Sequence, residues 1–253
     1  MGELLERSLM KTIIPKAWDI PDVFRNRMGQ DVGRQRLMNE EGHHLAVMHE
    51  LPARGDKGAR KPALFWVNEV GEWKSMPSSG GRSALKQLVQ DYHDKVMALE
   101  AALTKMDGDE TAEKVHDILD QAAPLYRAVR NVAAVAQELR MTLNSDREVL
   151  IIRDTAVAAE LSADLLLADA KSTLDYVTAK NAMIQAKESK KAAREAQKLN
   201  RLAALFFPLV TLASLFGMNP PSEVMEHGGV YVVIVLGLLM GGLLWVILSK
   251  KTN

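Results

Sequence analysis

Apolar residues change their spacing along this chain, and each change marks a different kind of element. In residues 1–82, Leu45, Val47, His49 and Leu51 alternate with Ala46, Met48 and Glu50. A period of two is the signature of a strand. Ala63–Asn68 and Glu72–Met76 flank Glu69-Val70-Gly71, a hairpin pattern, with the Gly- and Lys-rich loop Ala53–Pro62 before it. An amphipathic helix is expected over Asp22–Met38. Together these predict a small α/β cap of three strands. Residues 83–146 turn helical, with segments at Ser83–Met106, Thr111–Gln121 and Pro124–Leu143. Gly80-Gly81 and Asp107-Gly108-Asp109 bound the first of these. From Leu125 to Phe207 there is neither Gly nor Pro over 83 residues. The one break is Asn144-Ser145-Asp146, where Ser145 and Glu148 have capping-box spacing. A stalk helix is expected from Arg147 through Arg201 and onward, on the order of 100 Å long at ~1.5 Å per residue.

Two uncharged stretches close the chain: 17 residues at Leu202–Met218 and 19 at Val230–Leu248. About 17–25 apolar residues in a helix match a bilayer core, so these read as two membrane spans. Lys187, Lys190, Lys191, Arg194, Lys198 and Arg201 precede the first against only Glu188 and Glu195, and Lys250 and Lys251 end the second. The loop 219–229 carries Glu223 and Glu226 and no basic residue. Positive flanks stay on the cytoplasmic side, which places both termini and the basic tail 249–253 there. The expected fold class is therefore a mainly α membrane protein: α/β cap, helical region, stalk helix running into a first span, then a second span. Its expected location is a bacterial inner or plasma membrane.

A finer pattern lies on the stalk helix. Ala182, Ala186, Ser189, Ala193, Ala196, Asn200, Ala203, Phe207, Val210, Ser214 and Gly217 are separated by four and three residues in strict alternation. That is the a/d seam of parallel helices around a shared axis, and its small residues permit close approach. The basic residues all fall off it. An oligomerising coiled coil and the lining of an axial conduit both fit this spacing. Gly237 and Gly241 in the second apolar stretch suit close helix packing.

Composition removes other chemistries. The 32 basic and 32 acidic residues balance, giving no reason for a nucleic-acid partner, and no cysteine is present for disulfides or thiolate metal sites. No phosphate loop, paired-carboxylate site or nucleophile with a matching base is found, so no enzyme and no cofactor are expected. His43, His44 and His49 cluster without the further ligands that zinc requires, and His227 reads as a loop residue. Asp164, Asp169 and Asp175 read as solvated helix positions, with inter-subunit regulatory metal sites as the alternative.

The first apolar stretch ends Phe216-Gly217-Met218-Asn219 after Phe206-Phe207-Pro208-Leu209. The phasing FxPLxxxxxxFGMN resembles the CorA-like divalent cation transporter superfamily, whose aromatic-Gly-Met-Asn motif closes the first of two C-terminal spans. The cap is similar to a reduced form of that family's cytoplasmic domain, as in a short-headed branch. The resemblance implies a homopentamer in membrane lipid that conducts a divalent cation, Mg²⁺ first. It implies a selectivity filter at Gly217, Met218 and Asn219, with Gly217 and Asn219 facing a hydrated ion and Met218 packing behind them. Phe207, Val210 and Ser214 are carried over as pore-lining, continued by Asn200 and Ala203 of the seam. Glu223 and Glu226 would draw cations to the mouth. Neutral oxygens suit Mg²⁺, which gives up its water reluctantly. Zn²⁺ or another divalent ion, with or without proton coupling, is the alternative cargo, and a non-conducting coiled-coil scaffold the alternative class.

Overall fold

The computed structural model describes residues 13–29, 31–52, 60–106, 112–218 and 228–250. It divides into two compact units, Met1–Thr178 and Ala179–Asn253. The first unit holds helix α1 (Asp22–Arg27), strands β1 (Arg36–Glu40), β2 (His43–His49), β3 (Pro62–Val67) and β4 (Trp73–Met76), and helices α2 (Arg82–Thr104) and α3 (Ala112–Thr142). Helix α4 (Arg147–Met218) begins in it, and the second unit holds the rest of α4 with α5 (Gly229–Lys250).

The four strands form one antiparallel meander in the order β1-β2-β3-β4. Four replace the expected three because Arg36–Glu40 is a strand, not the end of a helix from Asp22. Gly29 and the left-handed Gly33 (φ 68°) stand between α1 and β1, and neither favours a helix interior. Glu41 (φ 50°) and Gly42 (φ 76°) then make a two-residue turn into β2, the backbone sense that a tight hairpin demands. The β3–β4 hairpin stands where alternation placed it. Asn68 Oδ1 accepts from the amides of Val70 (3.1 Å) and Glu72 (2.7 Å), and Gly71 takes φ 87°.

Both faces of the sheet are covered, which is why β2 and β3 read as nearly unbroken apolar runs. Met38, Leu45, Val47, Leu64 and Trp66 pack with Ile14, Trp18, Phe24 and Met28. Arg25 locks that layer by donating to the carbonyls of Ile14, Pro15 and Trp18. On the opposite face Ala46, Met48, Ala63 and Phe65 join the core of α2, α3 and α4. The buried Tyr92 hydroxyl donates to the carbonyls of His49 (3.3 Å) and Glu50 (3.1 Å), fixing α2 to the end of β2. Its burial pushes the phenol well above its ordinary range. Gly81, ahead of α2, has φ 54°, and a Cβ there would lie 2.6 Å from Cβ of Trp73. No side chain fits.

Thr111–Gln121 and Pro124–Leu143, expected as two helices, are joined in α3, with Pro124 inside it. Val115, Ile118, Ala122, Leu125, Val129 and Val132 line one buried stripe across the proline. Continuous packing on both sides offsets the hydrogen bond that the ring removes. The stalk helix starts at Arg147 as expected, but its cap is Asp146 rather than Ser145. Asp146 Oδ1 accepts from the amides of Glu148 (2.9 Å) and Val149 (3.3 Å). Arg82 joins it, at 2.6 Å from Asp146 and 2.8 Å from Glu148.

The membrane architecture is corrected. Among the described residues no helix is long and apolar enough to cross a membrane. A crossing asks for about 20 consecutive apolar side chains. The two spans expected at 202–218 and 230–248, and the integral-membrane location with both termini cytoplasmic drawn from them, do not stand on these helices.

Burial pushes the Asp146 carboxyl up, but the hydrogen bonds from Arg82 and the two helix amides outweigh it and hold the group below the ordinary carboxylate range. A folded value below the unfolded one contributes stability that is whole above that range and lost as pH falls through it. Asp146→Ala should cost about 1–2 kcal/mol in denaturant unfolding near neutral pH. The gap to the wild type should close as the pH falls below about 4.

Candidate functional site

The 72 residues of α4 are rich in Ala and Leu, which rank first among helix formers. In the first unit, Ile152, Ala156, Ala159, Ala163, Leu166 and Ala170 are buried against α2 and α3 at alternating spacings of four and three. Asp154 stands two residues beyond Ile152, and two beyond the other five buried positions stand Ala158, Leu161, Leu165, Ala168 and Ser172, every one exposed. A shift of two residues turns about 200° around a helix, so this second stripe is on the outer side. Leu161 is 62% and Leu165 55% exposed, a contiguous apolar strip rather than scattered surface residues.

The outer stripe keeps its register. Asp175 and Ala179 carry the 4-3 spacing to Ala182, the first seam position legible in the sequence. The expectation that began the seam at Ala182 missed these upstream positions, although the same arithmetic reaches them. Ala182, Ala186, Ser189, Ala193, Ala196 and Asn200 are all exposed, as are Lys187, Lys190, Lys191, Arg194 and Lys198 on their flanks.

In the second unit the helix again has two faces. Pro208 is buried, and Arg201, Ala204, Leu205 and Leu212 are partly so. The glycines Gly237 and Gly241 of α5 are buried too. A Cβ on Gly241 would lie 2.6 Å from the Leu205 carbonyl oxygen, so the two backbones approach as closely as glycine allows. Ala203, Phe207 (73% exposed), Val210 (58%) and Ser214 point to the far side. The predicted lining residues therefore share one open face, opposite the face held by α5. Pro208 donates nothing to the Ala204 carbonyl, while Thr211 Oγ1 donates to the Phe207 carbonyl at 2.8 Å.

Gly217 and Met218 form the last turn of α4. Asn219, Glu223, Glu226 and His227 lie outside the described residues. Asp164, Asp169 and Asp175 are exposed, and among the described residues no group of three or more His, Asp or Glu could hold a metal ion. The histidines of the cap are engaged singly. His43 stacks on Trp66 (5.7 Å), which stacks on Trp18 (5.8 Å), and His44 Nδ1 lies 3.1 Å from Asn39 Oδ1. His49 Nε2 meets the Gly33 carbonyl at 3.0 Å. Burial lowers the pKa of His44, helped by the neighbouring His43. Burial also lowers that of His49 against the Gly33 hydrogen bond, with Arg60 adding to the depression.

No family model matches the chain, and no curated protein does. Among solved structures, one described as the full-length CmaX protein aligns with a TM-score of 0.55 at 10% identity, covering 94% of this chain and 83% of its own. That likeness is one of fold.

Two adjacent glycines separate packing from propensity. Gly241→Ala should destabilise the second unit by about 1–3 kcal/mol. Gly242→Ala, with nothing within 4 Å of its Cβ, should be neutral or stabilising by up to about 1 kcal/mol. Thermal unfolding and limited proteolysis of the two variants would show the contrast.

Proposed function

We propose that this chain is a subunit of a homo-oligomeric, CorA-like divalent cation channel or transporter, with Mg²⁺ the first candidate cargo. The observation that carries the reading is the open 4-3 face of α4 through Ser214, on the far side from the packing against α5; Gly217 is the next position in the same spacing. Small residues at Ala203, Val210 and Ser214 let identical helices approach one axis, and Phe207 is the apolar constriction that would close it by dewetting. Gly217 and Asn219 would ring the end of that face with neutral oxygens, the ligand set that retains the hydration shell of Mg²⁺. Met218, a soft thioether, would pack behind. Glu223 and Glu226 would raise the local cation concentration. A pentamer is what the resemblance implies for the assembly. The two-span architecture is no part of the proposal.

A second reading is favoured by the helices themselves. A coiled-coil scaffold without a conduit needs the same seam and no membrane-crossing helix. Zn²⁺ transport with proton coupling is the third, since neutral oxygens and a short acidic loop do not select one ion.

Flux of Mg²⁺, Zn²⁺, Co²⁺ and Ni²⁺ in proteoliposomes, with and without a pH gradient, separates the three readings. Asn219→Ala should abolish selective flux and leave the oligomer mass unchanged; flux equal to the wild type would remove the filter. Leu161→Asp with Ala193→Asp should shift the assembled mass toward the single chain, because a charge on the seam is buried unpaired when copies meet. A scaffold would lose its mass in the same way and show no flux at all.

A further inference from the structure

We propose that the groove between α2 and the β3–β4 hairpin binds a small amphipathic organic cation, an amine or guanidinium carried on an apolar body. The groove encloses about 620 Å³, within the usual range for small-molecule sites. Its floor is Ala63 and Phe65 of β3, 2% and 4% exposed. Leu88 of α2 and Met76 of β4 wall it. One end is acidic, with Glu50 and Asp91, and among the described residues no Lys, Arg or His lines the groove. The two carboxylates share that end for a structural reason. Tyr92, next to Asp91, donates its hydroxyl to the Glu50 carbonyl at 3.1 Å, which draws the chain after β2 against this turn of α2.

The chemistry of the lining chooses the ligand. Asp91 accepts one hydrogen bond, from Gln87 Nε2 at 2.8 Å, and neither carboxylate has a cationic partner among the described residues. Charge beside an apolar floor calls for a ligand that presents both characters, its cation hydrogen-bonded to carboxylate and its body desolvated against Phe65 and Leu88. A metal ion could take the two carboxylates with water completing its oxygens, but it would leave the apolar floor unmatched. An anion is disfavoured at the other end. The amides of Gly80 and Gly81 are already taken by Ser75 Oγ at 3.2 and 2.8 Å, and that of Ser83 by the Gly80 carbonyl at 3.1 Å. The start of α2 thus offers no open amide cradle there. The site shares no residue with the seam of α4 and stands whether or not the conduit does.

Calorimetric titration of the full chain with phenethylamine tests the proposal against two isosteres, neutral phenethyl alcohol and anionic phenylacetate, and against MgCl₂ alone. The amine should bind, the alcohol about tenfold or more weaker, and phenylacetate and Mg²⁺ not measurably at the groove. Glu50→Gln with Asp91→Asn should lower amine affinity to that of the alcohol while thermal unfolding stays unchanged. Ala84→Phe, which fills the groove without touching its charge, should remove binding of both. Equal affinity for amine and alcohol, an undiminished amine affinity in the double variant, competition by Mg²⁺, or no amine binding would overturn it.

Discussion

One helix, α4, has to satisfy two packing demands at once, and the 3.6-residue turn makes this possible. In the first unit a stripe of alanines and leucines is buried against α2 and α3. A second stripe two residues on is left open. Because two residues turn about 200°, the same helix can be interior to its own unit on one side and open on the other. The start of the helix is held in place by Asp146 and Arg82, so the phase of both stripes is set at one end. The alanines on the inner stripe let α4 lie close to its neighbours, and the spacing of the outer stripe follows without further instruction.

One face of the sheet packs into the core of α2, α3 and α4. The sheet is buried on both sides, one layer closed by the segment Ile14–Val32 and the other by the helices. Its carbonyls at His49 and Glu50 receive the Tyr92 hydroxyl, which couples the strands to α2 through a hydrogen bond sheltered from water. The same contact shapes the acidic end of the groove. Position, packing and chemistry therefore meet at a single tyrosine.

In the second unit, glycine decides. Gly241 brings α5 onto the Leu205 carbonyl, and that contact picks which face of α4 is covered. The residues with a predicted role at an axis, Ala203, Phe207, Val210 and Ser214, are those left on the other side. Functional interpretation rests on this division of faces, since the comparisons supply a likeness of fold and no family.

Much of this was legible in the sequence because it is local or periodic. The start of the stalk helix at Arg147, the β3–β4 hairpin at Asn68–Gly71, the 4-3 seam and the close-packing glycine pair each follow from residue spacing or turn chemistry. Four matters needed tertiary structure. Arg36–Glu40 became a strand because β2 offered it a partner, and α3 continued through Pro124 because a buried stripe held both halves. Asp146 displaced Ser145 as the cap because Arg82 stands 64 positions away in sequence and beside it in space. The expectation of membrane spans came from hydropathy summed along the chain, whereas among the described residues no helix is long and apolar enough to cross a membrane. Sequence order fixes which residues share a helix face, since that is a property of one backbone. What covers each face depends on segments far apart in the chain, and only their packing decides it.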